Sequence, residues 1–146
     1  METETQKKND TKKAYLRRYQ SALMAERELA EEIDELRASV MLPSSGMGDG
    51  MPRGSGGGDL SGYMVKLDKL QADLLEQLDK RAVIRKEIVA AIEVMAKEPE
   101  KVLLRYRYIM GYRWEVIADK MHYSLRNVYE LHGTALRGFK IPERVQ

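Results

Sequence analysis

An all-α fold, a long antiparallel coiled-coil-like helical hairpin followed by a C-terminal helix-turn-helix domain, is predicted by three observations. Apolar residues recur at alternating steps of three and four along two long segments. A Gly/Ser/Pro-rich stretch separates those segments. The last third then breaks into short amphipathic runs punctuated by Pro99, Gly111 and a turn at His122-Tyr123-Ser124. Composition agrees: 43% of the 146 residues are hydrophobic, mainly Leu, Ile, Val, Ala and Met, with one Phe and one Trp, and 33% are charged. Such a mix favours packed helices over a β-sandwich or a disordered chain.

The first long helix is placed in residues 1–41, with its first residues disordered. Its apolar series is Tyr15, Tyr19, Ala22, Leu29, Ile33, Leu36 and Val40, broken only by Glu26. Residues 42–59, LPSSGMGDGMPRGSGGGD, form a flexible linker, because Gly loses the most backbone entropy in any regular element. A phosphate-cradling loop would need Gly-Lys-Ser/Thr opening a helix, and no Lys follows these glycines. The second long helix occupies residues 60–95, with Leu60, Tyr63, Leu67, Leu70, Leu74, Ile84, Ile88, Ala91 and Met95 on the same steps and Gln77 and Arg81 as polar interruptions. One narrow stripe per helix is the pattern of a coiled-coil seam, and it must be buried against another helix. The partner is either the other helix of the same chain or a second copy in a homo-oligomer. A linker of this length adds little closure entropy, so it does not decide between them.

Residues 96–146 change character. Glu98-Pro99 opens a helix, since Pro suits the first helical turn. Val102, Leu103, Tyr106 and Ile109 or Met110 mark its inner face, and Gly111 ends it. A second short helix carries Trp114, Ile117, Ala118 and Met121 at helical spacing. A tight turn ends in Ser124, a good N-cap, and a third helix runs from about residue 125 to 138 with Val128, Leu131 and Ala135 inward. Short helix, three-residue turn and N-capped helix is the helix-turn-helix layout, whose last helix presents its N-terminal part to the DNA major groove. Ser124, Leu125, Arg126, Asn127, Tyr129 and Glu130 are the candidate DNA-contacting residues there, with Arg113, Lys120 and Arg137 placed to meet phosphates. Arg pairs with guanine, Asn with adenine, and Glu accepts from cytosine.

Charge along the chain is consistent with this. Residues 1–41 hold eight Lys/Arg against nine Asp/Glu, residues 42–59 one against two and residues 60–95 six against six, whereas residues 96–146 hold ten against six. All the excess positive charge thus falls in the last third, as a phosphate-binding module requires.

The stretch VLLRYRYIMGYRWEVIADKMHYSLRNVYELHGTALRGF resembles region four of bacterial sigma factors, and more closely the sigma-region-four-like late-gene regulators of phages and prophages, of RinA and ArpU type. The matching residues are Leu104, Arg105 and Tyr106, then Trp114-Glu115 with Ile117-Ala118, Tyr123-Ser124, Val128, Leu131-His132 and Ala135-Leu136. A long N-terminal helix, a Met51-Pro52 and Gly/Ser linker and a second long helix extend the similarity loosely upstream. The resemblance implies double-stranded DNA as partner, RNA polymerase as a further one, and promoter-reading positions at Leu125, Arg126, Tyr129 and Glu130. Leu125 departs from the basic residue common there in sigma factors, and His122 replaces the usual Gly of the turn, a position His tolerates better than most residues. No segment resembles the sigma region that reads the −10 element, so a complete sigma factor is not expected.

Other chemistries find no foothold. No apolar run approaches the roughly 20 residues that span a bilayer, and the start METETQKKNDTKK lacks the apolar stretch of a secretory signal, so a cytoplasmic setting in a bacterial host cell is expected. Without Cys there is neither a disulfide framework nor a thiolate site. His122 and His132, ten apart with no carboxylate motif, read as a turn His and a helix-surface His rather than metal ligands or general bases. Of the tyrosines in the last third, Tyr106 fits the core face and the others pack or touch DNA backbone. No Ser stands in a plausible triad, so neither an enzyme nor a cofactor is expected. The alternative function is a protein-interaction module that docks on RNA polymerase or a phage protein.

Overall fold

The computed structural model describes residues 3–41 and 56–143. They form α1 (Glu4–Leu16), α2 (Arg18–Met41), α3 (Gly56–Glu93), α4 (Glu98–Leu104), a π-helical segment (Arg105–Ile109), α5 (Trp114–Met121) and α6 (Leu125–Gly138). No strand occurs among the described residues. Residues 42–55 of the expected linker lie outside them, and its last four positions, expected to be irregular, instead open α3. Among the described residues no helix is long and apolar enough to cross a membrane.

α1 begins at a capping box inside the polar stretch that was expected to be disordered. Thr3 Oγ1 accepts from the Gln6 N–H at 3.1 Å and Gln6 Oε1 accepts from the Thr3 N–H at 2.8 Å, satisfying two amides that have no partner within the helix. Only Arg17, itself in helical conformation, separates α1 from α2, and the Ser21 N–H reaches its carbonyl at 3.0 Å. Together they make one long bent helix.

Contacts divide the chain into two compact units, one of Met1–Ala22 with Arg81–Gln146 and one of Leu23–Lys80. Both divisions fall inside long helices rather than at changes of composition. In the second unit Ile33 is buried and Leu29, Leu36, Leu67, Leu70 and Leu74 are half-buried, while most residues between them are exposed. Leu36 of α2 and Leu70 of α3 line one cleft.

The first unit holds the larger core, with Leu16, Ile88, Ile92, Leu103, Ile117 and Phe139 all fully buried. α1 packs on α6. The rings of Tyr15 and Phe139 lie 5.9 Å apart, and the Tyr15 hydroxyl donates to Glu87 Oε1 at 2.7 Å. Lys12 Nζ donates to the carbonyls of Leu136 at 2.8 Å and Arg137 at 3.3 Å, so its charge sits on the C-terminal turn of α6. Burial, with the nearby Lys8 charge, holds the Lys12 amine below its ordinary pKa.

The π-helical segment corrects the expected core face of this region. The Met110 N–H bonds five residues back, to the Arg105 carbonyl at 2.9 Å, so the widened turn shifts the register of everything after Leu104. Tyr108 and Ile109 are buried, whereas Tyr106 is half-buried and Met110 is exposed. Gly111 follows at φ +75°, and Gln20 of α2 donates to the freed carbonyls of Tyr108 and Ile109, both at 3.2 Å. The N-terminal helix thus completes the end of an element almost ninety residues away.

Candidate functional site

α5 ends where His122 adopts a left-handed conformation, φ 60° and ψ 40°, with the Tyr123 N–H bonded to the Ala118 carbonyl at 2.9 Å. This back-bonded ending turns the chain sharply within three residues. Ser124 then starts α6, its Oγ accepting from the Asn127 N–H at 3.1 Å. α5 packs on α6, with Ile117, Ala118 and Val128 buried, and the small Ala118 suits a close approach. Ser124→Ala removes the cap without touching the core. It is expected to cost about 1 kcal/mol, read from denaturant melts; an unchanged midpoint would deny the cap any part in holding α6.

One side of the turn is an aromatic stack. Trp114 stands edge-on to Tyr129 at 5.6 Å and to His132 at 4.7 Å, and the Arg107 guanidinium lies 4.2 Å above the indole centroid. Contrary to its reading as a helix-surface residue, His132 is only 9% exposed, and its Nε2 lies 2.7 Å from the hydroxyl of Tyr108, itself 3% exposed. Burial pushes His132 down to about 4, assisted by the positive charges of Lys13, Arg107 and Arg17. Burial also raises Tyr108, against the opposing pull of Arg17 and Arg107. Both shifts favour neutral forms, so the Tyr108 O–H donates to an unprotonated imidazole. His132 was misread because neither Tyr108 nor α1 is near it in sequence.

No family model, curated protein or solved structure matches this chain.

The face of α6 opposite its core carries Arg126, Tyr129, Glu130 and Arg137, at helical spacing on one side, with Gly133 between the last two. Leu125 and Asn127 flank Arg126 at the N-terminal end; Leu125 is 39% and Tyr129 50% exposed. Arg126 Nε lies 3.3 Å from Glu130 Oε1 in a solvent-exposed pair. Arg137 donates to Thr134 Oγ1 at 3.2 Å. Arg113 and Lys120 sit at opposite ends of α5, the former 3.8 Å from Glu115 and the latter 5.1 Å above the Tyr112 ring. Ser124 is engaged as an acceptor, which leaves its hydroxyl hydrogen as a donor. The candidates therefore form one surface strip along α6 with cations at both ends of α5. Among the described residues no group of three or more His, Cys, Asp or Glu gathers as a metal site would need.

Charge by unit is far more polarised than charge by sequence segment. The unit containing α5 and α6 holds 19 Lys/Arg against 11 Asp/Glu, net +8, and the other holds six against twelve, net −6. A cut after residue 41 hides this, because it merges the basic residues 1–22 with the acidic residues 23–41.

Proposed function

We propose that this chain is a sequence-specific, duplex-DNA-binding transcriptional regulator of the phage and prophage type, with α5, the turn and α6 as a sigma-region-four-like helix-turn-helix. The observation that carries the reading is the strip of exposed, hydrogen-bonding side chains on α6, set on a unit of net charge +8. Arg126, Asn127 and Glu130 have the donors and acceptors to read base edges, and Arg113, Lys120 and Arg137 the charge to hold phosphates. Positive charge concentrated on one unit also speeds encounter with DNA. Repeated selection of bound duplexes from a random pool tests the reading. Enrichment of a defined motif is expected, and a pool that stays random would refute sequence-specific binding.

The two long helices serve in this reading as a coiled-coil-like hairpin that sets oligomeric state or holds a partner. Glu26, Gln77 and Arg81, the polar steps of the expected seam, are half-buried. Replacing all three together by Leu is expected to raise the melting temperature, because apolar packing commonly matches or exceeds polar seam contacts in stability while loosening register. Unchanged melting together with an unchanged mass in solution would refute the seam.

A second reading is favoured by one observation: Leu125 and Tyr129 place apolar surface on the leading part of α6. In that reading the module docks on RNA polymerase or a phage protein.

A further inference from the structure

The basic stretch at the start of the chain has no part in the candidate strip on α6. Residues 1–22 carry six Lys/Arg against three Asp/Glu, and α1 is fastened to the C-terminal end of α6 by Lys12 on the Leu136 and Arg137 carbonyls and by Tyr15 on Phe139. Lys13, Arg17 and Gln20 follow at successive helical turns on one flank of this bent helix. Gln20 fixes where that flank points, because its side chain reaches the Tyr108 and Ile109 carbonyls. The charges of Lys13 and Arg17 are both felt at His132, one turn of α6 beyond the exposed Tyr129. Arg17 is exposed and Lys13 half-buried.

We infer that α1 is a second DNA-contacting element, whose Lys13 and Arg17 meet the phosphate backbone beside the groove that α6 enters. The inference rests on the duplex-binding reading of α6. Two cations on a helix held rigidly against the reading helix lengthen the footprint without reading sequence, as backbone contacts do. Asp10 stands against it, 3.7 Å from the half-buried Lys13, but Asp10 itself is exposed and a surface pair of this kind contributes little.

The test uses the full chain and a fluorescein-labelled random-sequence duplex, followed by anisotropy over a series of KCl concentrations. Each lost phosphate contact lowers the slope of log K against log salt by about 0.9. K13Q/R17Q is therefore expected to lose roughly 1.8 of the wild-type slope and to bind more weakly at every salt concentration. The charge-conserving K13R/R17K should keep the wild-type slope. Asp10→Asn, which removes no cation, should bind more tightly than wild type. If wild type binds and K13Q/R17Q matches it in slope and affinity, α1 does not touch DNA and the reading of α6 survives alone. Loss of slope in K13R/R17K, or no gain in Asp10→Asn, would likewise overturn the role of α1. If wild type binds no duplex at all, the reading of α6 falls and the inference with it.

Discussion

Arg126→Ala is expected to weaken binding to a selected duplex site by roughly 5- to 150-fold, equivalent to about 1–3 kcal/mol, and to leave the melting temperature nearly unchanged. The side chain is 87% exposed, so its removal leaves the core intact. In the free protein its guanidinium rests on Glu130 at 3.3 Å, an exposed pair one helical turn apart that contributes little to stability. The guanidinium is therefore available to turn toward a base edge, where its fork matches the two acceptors of guanine. The pattern of loss matters as much as its size. Arg126→Ala should relax preference at one base position, whereas Arg137→Ala should weaken all duplexes alike and lower the salt slope by about 1. Arg126→Lys keeps the charge but loses the fork, so specificity should fall further than affinity. An Arg126→Ala variant that binds the selected site as tightly as wild type would mean that α6 is not the reading helix.

Acid should unfold the chain through His132 before most carboxylates titrate. Its pKa is about 4 in the folded state against an ordinary value of 6.5, so the folded imidazole binds its proton less readily than the unfolded one. Its contribution is fully present above pH 6.5 and is lost as pH falls from 6.5 towards 4, on the order of 3 kcal/mol over that window. Urea melts through this range should show the midpoint falling with pH in wild type. His132→Gln has nothing to titrate there and should be less stable at pH 7 but flatter with pH. Tyr108→Phe removes the hydroxyl that donates to the buried Nε2, and should cost about 1–3 kcal/mol at neutral pH. Parallel pH profiles for wild type and His132→Gln would show that the slope comes from other groups.

Local signals in the sequence located the elements of the last third well. Pro99 lies at the start of α4, Gly111 takes a positive φ, His122 takes the left-handed position at the turn, and Ser124 caps an α6 that spans Leu125–Gly138. Each depends on chemistry within a few residues, which a sequence exposes directly. The stripes at steps of three and four coincide with the less exposed positions of the long helices from Tyr15 to Leu36 and from Tyr63 to Ala91, whereas Val40 and Leu60 at their outer ends are exposed. What escaped depends on distant contacts. The π-helical segment that exchanges Tyr106 for Tyr108 in the core has no local mark, since its freed carbonyls are satisfied by Gln20, far away in sequence. His132 sits at a plausible surface position of α6 until Tyr108 and Trp114 close over it. Lys7, Lys8, Lys12, Lys13, Arg17 and Arg18 disappear into a segment of net −1 when residues 1–41 are counted together. Only the packing of α1 on α6 separates them from the acidic half of that segment.

The measurement that bears most directly on duplex binding is a mobility-shift titration of the full chain against DNA from upstream of its own and neighbouring genes, at two salt concentrations and with and without RNA polymerase. Site-selective shifts by the protein alone, weaker at the higher salt, are the expected result. No shift of any duplex by the protein alone, with complexes forming only when polymerase is present, would contradict direct DNA reading and make α6 a polymerase-docking surface.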